Sequence, residues 1–215
     1  VILDSHDEIP FVNQTDSKTP ITGHHRILWE GQPATIGGIK QVSSSLAEIS
    51  KTTSLAFDIV TDEKYFQFLN KFLERRTYSL LKKNLGRSVY LAKITPWSAE
   101  NLARCARASS LAIIPIDLSV PMQRLKPENR LLIMWRLGLP CLTSPSPAYL
   151  RVSDEAGVSA TCNTPEEWLE SSQRIINDPF FAFSHISAGQ NYLREKHNRS
   201  ILLKKWDLAF DSVMG

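Results

Sequence analysis

The sequence predicts a doubly wound α/β fold, with a mostly parallel, Rossmann-like sheet of six strands and helices on both of its faces. Short apolar stretches alternate along the chain with longer stretches whose apolar residues recur at helical spacing. The stretch LAIIP at 111–115 is almost wholly apolar, which is typical of a strand buried on both faces. A chain of 215 residues, 42% of them hydrophobic, is also long enough to bury the core of such a sheet.

Each predicted strand is a short apolar run between polar, Gly or Pro residues. The six runs are 26–29, 54–61, 88–92, 111–115, 141–143 and 158–161. Because they are separated by helical patterns and not by tight turns, we expect them to lie parallel in one sheet.

The predicted helices follow from apolar residues three and four positions apart. They cover 36–50, 65 to about 81, 99–108 and 128–137. Gly138 is in the position favoured just after a helix end. Thr164 followed by Pro165 and two glutamates is a strong helix start, and a helical C-terminal tail is predicted from there, broken near Asp178 and Asn198.

The first 25 residues are predicted to form a linker. They are mostly polar, contain Pro10, Pro20 and Gly23, and show no sustained periodicity. The chain begins with an apolar stretch at 1–3, without a methionine or the pattern of a signal peptide. We therefore expect residues 1–25 to connect to an N-terminal domain outside this sequence, and residues 26–215 to form one Rossmann-like domain.

The charge balance argues against two classes of protein. Lys and Arg number 25 against 22 Asp and Glu, and the resulting net charge of +3 is too small to indicate a nucleic-acid partner. No uninterrupted apolar run approaches the ~20 residues of a membrane-spanning helix. We therefore expect neither a nucleic-acid-binding nor an integral membrane protein.

Cysteine and histidine spacing predicts no metal site and no disulfide framework. Cys105, Cys141 and Cys162 are odd in number and widely separated, which is typical of buried, reduced thiols in a cytoplasmic protein. The five histidines lack the helical spacing of a ligand pair. No metal is therefore expected.

In a doubly wound sheet, ligands bind beyond the carboxyl ends of the strands, near the point where the strand order reverses. That rule selects five loops as candidate binding segments. They are 30–36, 61–64, 93–97, 115–126 and 144–149.

The loop before the helix at 128–137 carries the clearest signal for an anion. Lys126 and Arg130 flank the predicted helix start, where Pro127 and Glu128 suit the first turn. Unpaired backbone N–H groups at such a start and two cationic side chains could together bind a diphosphate. The alternative is a solvated helix start, in which Arg130 pairs with Glu128 or with Asp117.

Two further loops could contact a nucleotide. Gly31, after the first predicted strand, would let the backbone approach a phosphate, and Ile94 and Trp97 offer apolar surface to a base. Trp97 could equally be a core residue at a helix start. Neither the G-x-G-x-x-G pattern of NAD-binding proteins nor a P-loop is present.

Taken in order, these segments resemble the C-terminal, donor-binding half of a GT-B glycosyltransferase of the retaining, glycogen-synthase-like superfamily. The resemblance covers roughly residues 26–210. It rests on WEG at 29–31, IVTD at 59–62, LAIIPID at 111–117, KPENR at 126–130, GLP at 138–140, SPSPAY at 144–149 and EEW at 166–168.

The resemblance implies a nucleotide-diphosphate sugar as donor substrate, with no other cofactor. By the same resemblance the backbone of Gly31 would approach the diphosphate, and Ile94 and Trp97 would face the base. The remaining residues implied in donor binding lie between the fourth and fifth strands. They are Asp117, Lys126, Glu128, Asn129 and Arg130.

Lys126 and Arg130 would also be the catalytic residues, because they could stabilise the negative charge on the departing diphosphate. The superfamily's usual pair of glutamates, separated by seven residues, is absent around Glu128, since positions 120 and 136 are Val and Arg. The ribose therefore has no assigned partner.

The resemblance further implies a glycan or lipid-linked acceptor, held mainly by the other domain. A cytoplasmic location is expected, and the mild basicity is compatible with association at an anionic inner membrane surface. Two other functions remain open. One is a sugar-nucleotide epimerase of the same architecture, which would need an acid–base pair, and the other is a non-catalytic α/β module that binds a ligand or a partner.

Overall fold

The computed structural model describes residues 6–13, 24–67 and 70–214. Seven strands lie in the described part of the chain. They are β1 (His24–Glu30), β2 (Ser54–Val60), β3 (Lys64–Gln67), β4 (Asn70–Arg76), β5 (Ala92–Thr95), β6 (Leu111–Ile114) and β7 (Cys141–Thr143). Five of them form a parallel sheet in the order β5-β2-β1-β6-β7, and β3 pairs with β4 in a separate antiparallel hairpin. The predicted doubly wound α/β fold is therefore confirmed.

Nine α-helices connect and cover the strands in the same described residues. They are α1 (Ser43–Thr52), α2 (Thr77–Leu85), α3 (Ala99–Ala108), α4 (Pro121–Arg124), α5 (Asn129–Arg136), α6 (Pro147–Ala156), α7 (Pro165–Asn177), α8 (Pro179–Lys196) and α9 (Arg199–Met214). Two 3-10 helices, Pro33–Val42 and Gly86–Leu91, precede α1 and β5. The predicted helical tail corresponds to α7, α8 and α9.

Both faces of the sheet are buried. Side chains of a β-strand alternate between the two faces, so neighbouring residues of β1 pack on opposite faces of the sheet. Leu28 belongs to a cluster with Trp135 of α5, whereas Ile27 and Trp29 belong to a second cluster with Trp168 of α7. A core on each side explains why the strands are apolar without alternation.

The sheet has five strands, not six. Residues 158–161, predicted as the sixth strand, contribute only an isolated bridge between Thr143 and Thr161. The N–H of Thr143 donates to Ala160 O at 2.7 Å, and the N–H of Cys162 donates to Thr143 O at 2.8 Å. The N–H of Ser144, after β7, faces the other side and donates to Ile114 O of β6 at 3.2 Å, and β7 itself is only three residues long.

The helix predicted from 65 to about 81 is wrong over 65–67 and 70–76, which is most of its length. Strands β3 and β4 lie there, and α2 begins only at Thr77. Short runs rich in Tyr, Phe and Leu fit either period, and here cross-strand contacts select the hairpin. The ammonium of Lys64 lies 2.8 Å from Glu74 across it, and Thr77 closes its base through an N–H donated to Glu63 O.

The predicted third strand is displaced toward the C-terminus. Residues 86–91 form a 3-10 helix, and β5 begins only at Ala92. Its register against β2 runs from Phe57↔Ala92 to Val60↔Thr95, so part of the predicted loop 93–97 belongs to the sheet. The apolar run at 88–92 therefore marks the approach to the strand more than the strand itself.

Residues 6–13, within the predicted linker, lie against helices α5 and α8. Ile9 is buried, and the N–H of Val12 donates to Arg136 O at 2.9 Å. The side chain of Gln190 donates to Val12 O at 2.7 Å. The division into a linker at 1–25 and a domain at 26–215 stays a prediction, with residues 14–23 outside the described part.

His185 of α8 is a buried titratable group whose protonation opposes folding. Its Nε2 accepts the N–H of Cys141 at 3.4 Å, and its ring packs edge-on against Trp135. Burial lowers the pKa of His185 from 6.5 to about 4. The unfolded chain therefore binds the proton more readily, and stability is fully present above pH 6.5 and lost as the pH falls toward 4.

We expect the free energy of unfolding to fall by about 3 kcal/mol across this pH window, since one pKa unit is worth about 1.4 kcal/mol. Urea unfolding at several pH values will measure this loss. In a His185→Gln variant, most of this fall in the free energy of unfolding between pH 6.5 and 4 should disappear. In His24→Gln, at an exposed strand position, the fall should remain. If the free energy of unfolding of the His185 variant falls with pH as much as that of the wild type, other groups cause the pH dependence.

Among the described residues, none of the helices combines the length and the apolar character that crossing a membrane requires. The same residues contain no group of three or more His, Cys, Asp or Glu side chains placed to hold a metal ion.

Candidate functional site

The chain reverses its strand order between β1 and β6, and the segments after these two strands lie side by side. Glu30 ends β1, and Ile116 follows β6. The segment from Ile116 to the start of α5 brings Lys126 and Arg130 to the same edge of the sheet, where they line a common cavity. This edge is where doubly wound sheets bind ligands.

Arg130 is held in one orientation by two contacts. Its Nε donates to Glu30 Oε2 at 3.3 Å, and its guanidinium lies 5.2 Å from the centre of the Trp29 ring. The side chain is four-fifths buried, yet Nη2 is buried without a hydrogen-bond partner. A buried donor without an acceptor is costly, so this nitrogen is poised to donate to a ligand.

Lys126 adds a second positive charge to the same cavity. Burial, and then the charge of Arg130, lower the pKa of Lys126, while Glu30 opposes that shift. In the part of the chain that the structure describes, no carboxylate lies within ion-pair distance of this ammonium. Two cations that repel each other inside one cavity would both gain from an anion between them.

The cavity between them has a volume of about 160 Å³. It is lined by Thr35, Ile116, Gln123, Lys126, Pro127, Asn129, Arg130 and Tyr149. Asn129 Oδ1 is a second buried polar atom without a partner. The volume is below the roughly 300 Å³ of a site for a drug-sized molecule, so this cavity, here called the anion cavity, suits one part of a larger ligand.

Two larger cavities flank the anion cavity. One, of about 350 Å³, is lined by Glu30, Gly31, Gln32, Asp62 and Trp97. The other, of about 470 Å³, is lined by Arg124, Leu125, Lys126, Pro127, Glu128, Pro147, Ala148 and Arg151. The first contains Glu30, the ion-pair partner of Arg130, and the second shares Lys126 and Pro127 with the anion cavity. These three cavities make up the candidate binding region.

A hydrogen-bond network fixes the loops around this region. Gln41 donates to Ile116 O at 2.8 Å and accepts from Ser144 Oγ at 3.2 Å, and Ser144 Oγ in turn accepts the N–H of Ile116 at 2.8 Å. The network joins the helical segment after β1 to the loops after β6 and β7. The anion cavity is therefore built on a pre-organised frame.

Gly31 lines the 350 Å³ cavity, but its N–H is already used. It donates to Val60 O at 3.2 Å. A Cβ at this position would lie 3.1 Å from ring atoms of Trp29 and from Thr35 Oγ1, so the glycine permits close packing beneath the site. Its predicted contact with a diphosphate stays a prediction.

Trp97 and Ile94, both predicted to face a base, lie in different environments. Trp97 is half exposed and donates its Nε1–H to Glu30 Oε1 at 3.1 Å, which fixes the ring at the edge of the 350 Å³ cavity. Ile94 is half-buried against the cluster that contains Trp29 and lines none of the three cavities.

Glu128 and Asp117 both have partners of their own. The Glu128 carboxylate is buried and pairs with Arg151, on the side of α5 that faces the 470 Å³ cavity. Asp117 accepts from the N–H and the hydroxyl of Ser119 at 3.1 and 2.6 Å. The alternative pairing of Arg130 with either acid is not seen, because Glu30 is its partner.

Glu30 and Tyr149 lie in the candidate loops 30–36 and 144–149, but no sequence pattern predicts a role in binding for either residue. Both stand within the quoted segments at 29–31 and 144–149, yet neither residue type by itself indicates a phosphate site. Tyr149 is fully buried against the anion cavity, and burial raises the pKa of its hydroxyl. The ion pair of Glu30 with Arg130, however, depends on the pairing of β1 with β6.

The sequence matches no protein-family model and no curated protein. The structure, however, is similar to solved glycosyltransferases. A glycosyltransferase from Rickettsia africae shares 9% identity and a TM-score of 0.68, with 90% of this chain and 48% of that one covered. WaaG, a glycosyltransferase involved in lipopolysaccharide biosynthesis, shares 16% identity and a TM-score of 0.60, with 88% and 48% covered.

An epimerase has a related structure as well. A putative UDP-N-acetylglucosamine 2-epimerase from Listeria monocytogenes shares 11% identity and a TM-score of 0.53, with 94% of this chain and 49% of that one covered. The chain thus spans about half the length of each of these proteins. Its fold is that of one half of a GT-B protein, as the resemblance predicted.

Proposed function

We propose that this chain is the donor-binding half of a glycosyltransferase and that the anion cavity holds the diphosphate of a nucleotide sugar. The observation that carries the proposal is the unpartnered, buried Nη2 of Arg130 beside the unpaired ammonium of Lys126. A diphosphate offers oxygen acceptors to both cations, and its charge removes the repulsion between them. The fold of a GT-B half supports the same proposal.

The proposed chemistry requires charge stabilisation at the leaving group. The bond between the anomeric carbon and the diphosphate oxygen breaks, and its electron pair stays on the diphosphate. An acceptor oxygen forms the new bond to the anomeric carbon and releases its proton. Lys126 and Arg130, held in place before the reaction, would stabilise the charge that develops on the departing diphosphate.

We further propose that these cations take the place of a divalent metal. The lining of the anion cavity contains no carboxylate, which is the ligand that Mg²⁺ prefers, and the nearby carboxylates of Glu30 and Glu128 already pair with Arg130 and Arg151.

The nucleoside would occupy the 350 Å³ cavity. The ring of Trp97 offers a half-exposed aromatic face there, and base–aromatic stacking is worth about 1–3 kcal/mol. Glu30 and Asp62 add acceptors for hydroxyl or N–H donors of the nucleoside. We propose a uridine or guanosine diphosphate sugar as the donor class.

A glycan or lipid-linked acceptor would be held mainly by a second domain. A cytoplasmic setting with access to a membrane surface is part of the proposal, and the net charge of +3 is compatible with it.

Isothermal titration calorimetry with nucleoside diphosphates tests the proposal directly. We expect UDP or GDP to bind more tightly than the matching monophosphate, because the diphosphate offers Lys126 and Arg130 more negative charge and more oxygen acceptors. A Lys126→Met variant should reduce the difference between the diphosphate and the monophosphate. Absence of binding for every nucleoside diphosphate and nucleotide sugar would refute the proposed function.

A catalytic assay of this chain combined with the proposed second domain separates transfer from epimerisation. An epimerase would change the bound nucleotide sugar without an acceptor, which proton NMR of the sugar ring detects. Under the proposed function, the sugar of the bound donor keeps its configuration at every carbon until an acceptor is supplied.

A further inference from the structure

We propose that the 470 Å³ cavity next to the anion cavity binds an anionic amphiphile, and that this amphiphile is the acceptor or part of it. The acceptor role rests on the proposed function. The cavity, here called the amphiphile cavity, shares Lys126 and Pro127 with the anion cavity. It is enclosed between the segment that precedes α5 and the start of α6.

Its charges favour an anion. Arg124, Lys126 and Arg151 line it, and Glu128 is its one acidic lining residue. The Glu128 carboxylate pairs with Arg151, so these two charges compensate each other. Within the described residues, neither Arg124 nor Lys126 has a carboxylate partner. Two positive charges therefore remain for a ligand.

Its apolar surface favours a hydrocarbon chain. Leu125, Pro127, Pro147 and Ala148 form the non-charged part of the lining. The elements that carry this lining also expose Met122 at 80%, Leu125 at 74% and Leu150 at 41%. Of these three, Leu125 lines the cavity itself, so a large, exposed apolar side chain is available there to a hydrocarbon chain.

The shape favours a single molecule over a bilayer. A concave volume of about 470 Å³ lies within the roughly 300–1,000 Å³ of sites that enclose small molecules. A bilayer would be expected to meet a flat or convex surface. An alkyl chain with a phosphate at one end fits both the charge and the apolar lining.

The position supports an acceptor role. Lys126 lines both cavities, so an anionic group bound by Arg124 would lie beside the donor diphosphate with an ammonium available to both. The amphiphile would then lie next to the diphosphate, which is the leaving group of the proposed transfer. Proximity of this kind is a large part of what an enzyme contributes to a two-substrate reaction.

Octyl phosphate, used below its critical micelle concentration, is the probe. We expect it to bind more tightly than inorganic phosphate or octyl glucoside, each of which lacks one half of the recognised chemistry. Arg124→Gln and Leu125→Ser should each weaken binding by roughly tenfold, which corresponds to a net charged hydrogen bond or a buried side chain. Arg107→Gln in α3 and Leu208→Ser in α9 are the matched, exposed controls.

Measuring nucleotide binding alongside octyl phosphate binding distinguishes this inference from the proposed function. Octyl phosphate should still bind when the nucleoside diphosphate is saturating, and Arg124→Gln should leave nucleotide affinity unchanged. Displacement of the probe by nucleotide, equal binding by Arg124→Gln and Arg107→Gln, or affinity only for phosphatidylglycerol vesicles would overturn the inference. Nucleotide binding without octyl phosphate binding removes this inference alone, whereas octyl phosphate binding without nucleotide binding removes the acceptor role together with the proposed function.

Discussion

Replacing Arg130 with Gln is expected to weaken binding of a nucleoside diphosphate by roughly 10- to 150-fold, since a hydrogen bond to a charged group is worth about 1.5–3 kcal/mol. The guanidinium is fixed by Glu30 and by the Trp29 ring, so little entropy is lost when its free Nη2 meets a phosphate oxygen. Titration calorimetry of both proteins with the same nucleotide measures the difference.

An Arg130→Lys variant should recover only part of that affinity. Lysine keeps the charge but lacks the planar group that both stacks on Trp29 and donates in two directions. Because Arg130→Gln also leaves the Glu30 carboxylate without its cation, the double variant Arg130→Gln/Glu30→Gln controls for stability. Affinities that stay equal across the wild type and Arg130→Gln would show that the diphosphate does not contact this side chain.

Gly38→Ala is expected to lower the free energy of unfolding by about 3 kcal/mol, the upper end of the range for overpacked positions. A Cβ at Gly38 would lie 2.2 Å from Pro115 O, which is a backbone atom that cannot rotate away. The Pro115 carbonyl would have to move away from this Cβ, and the next residue, Ile116, would move with it. Ile116 lines the anion cavity, and its carbonyl accepts a hydrogen bond from Gln41. Nucleotide affinity should therefore fall together with stability.

The neighbouring glycine is the matched control for this prediction. A Cβ at Gly37 would meet nothing within 4 Å, so Gly37→Ala should be neutral or slightly stabilising. Urea unfolding of the two variants side by side measures both effects. Equal midpoints for Gly37→Ala and Gly38→Ala would contradict the close approach of the 3-10 helix to the segment after β6.

The two cations of the anion cavity were predictable because they are neighbours in sequence. Lys126 and Arg130 bracket one helix start, and local geometry is enough to bring them to the same edge of the sheet. Glu128 stands between them in sequence but faces Arg151 on another helix, which no local pattern specifies. Glu30, a hundred residues before Arg130, joins the site only because β1 pairs with β6.

The strand errors have a common cause. Residues 65–76 and 158–161 are apolar or mixed runs that fit more than one structure, and tertiary partners decide between them. In the structure, residues 64–67 and 70–76 pair their backbones as the antiparallel hairpin of β3 and β4, with Phe66 opposite Glu74. Residues 158–161 remain a single bridge because β7 offers them too short an edge.

By itself, the sequence determined the alternation of strands and helices, the burial of the sheet on both faces and the helix start that carries Lys126 and Arg130. These features depend on apolar periodicity and on capping residues, which act over a few positions. The tertiary structure alone decided the number of strands, the pairing of Arg130 with Glu30 and the division of the site into three cavities. Those features depend on contacts between residues far apart in sequence, and such contacts exist only once the sheet has formed.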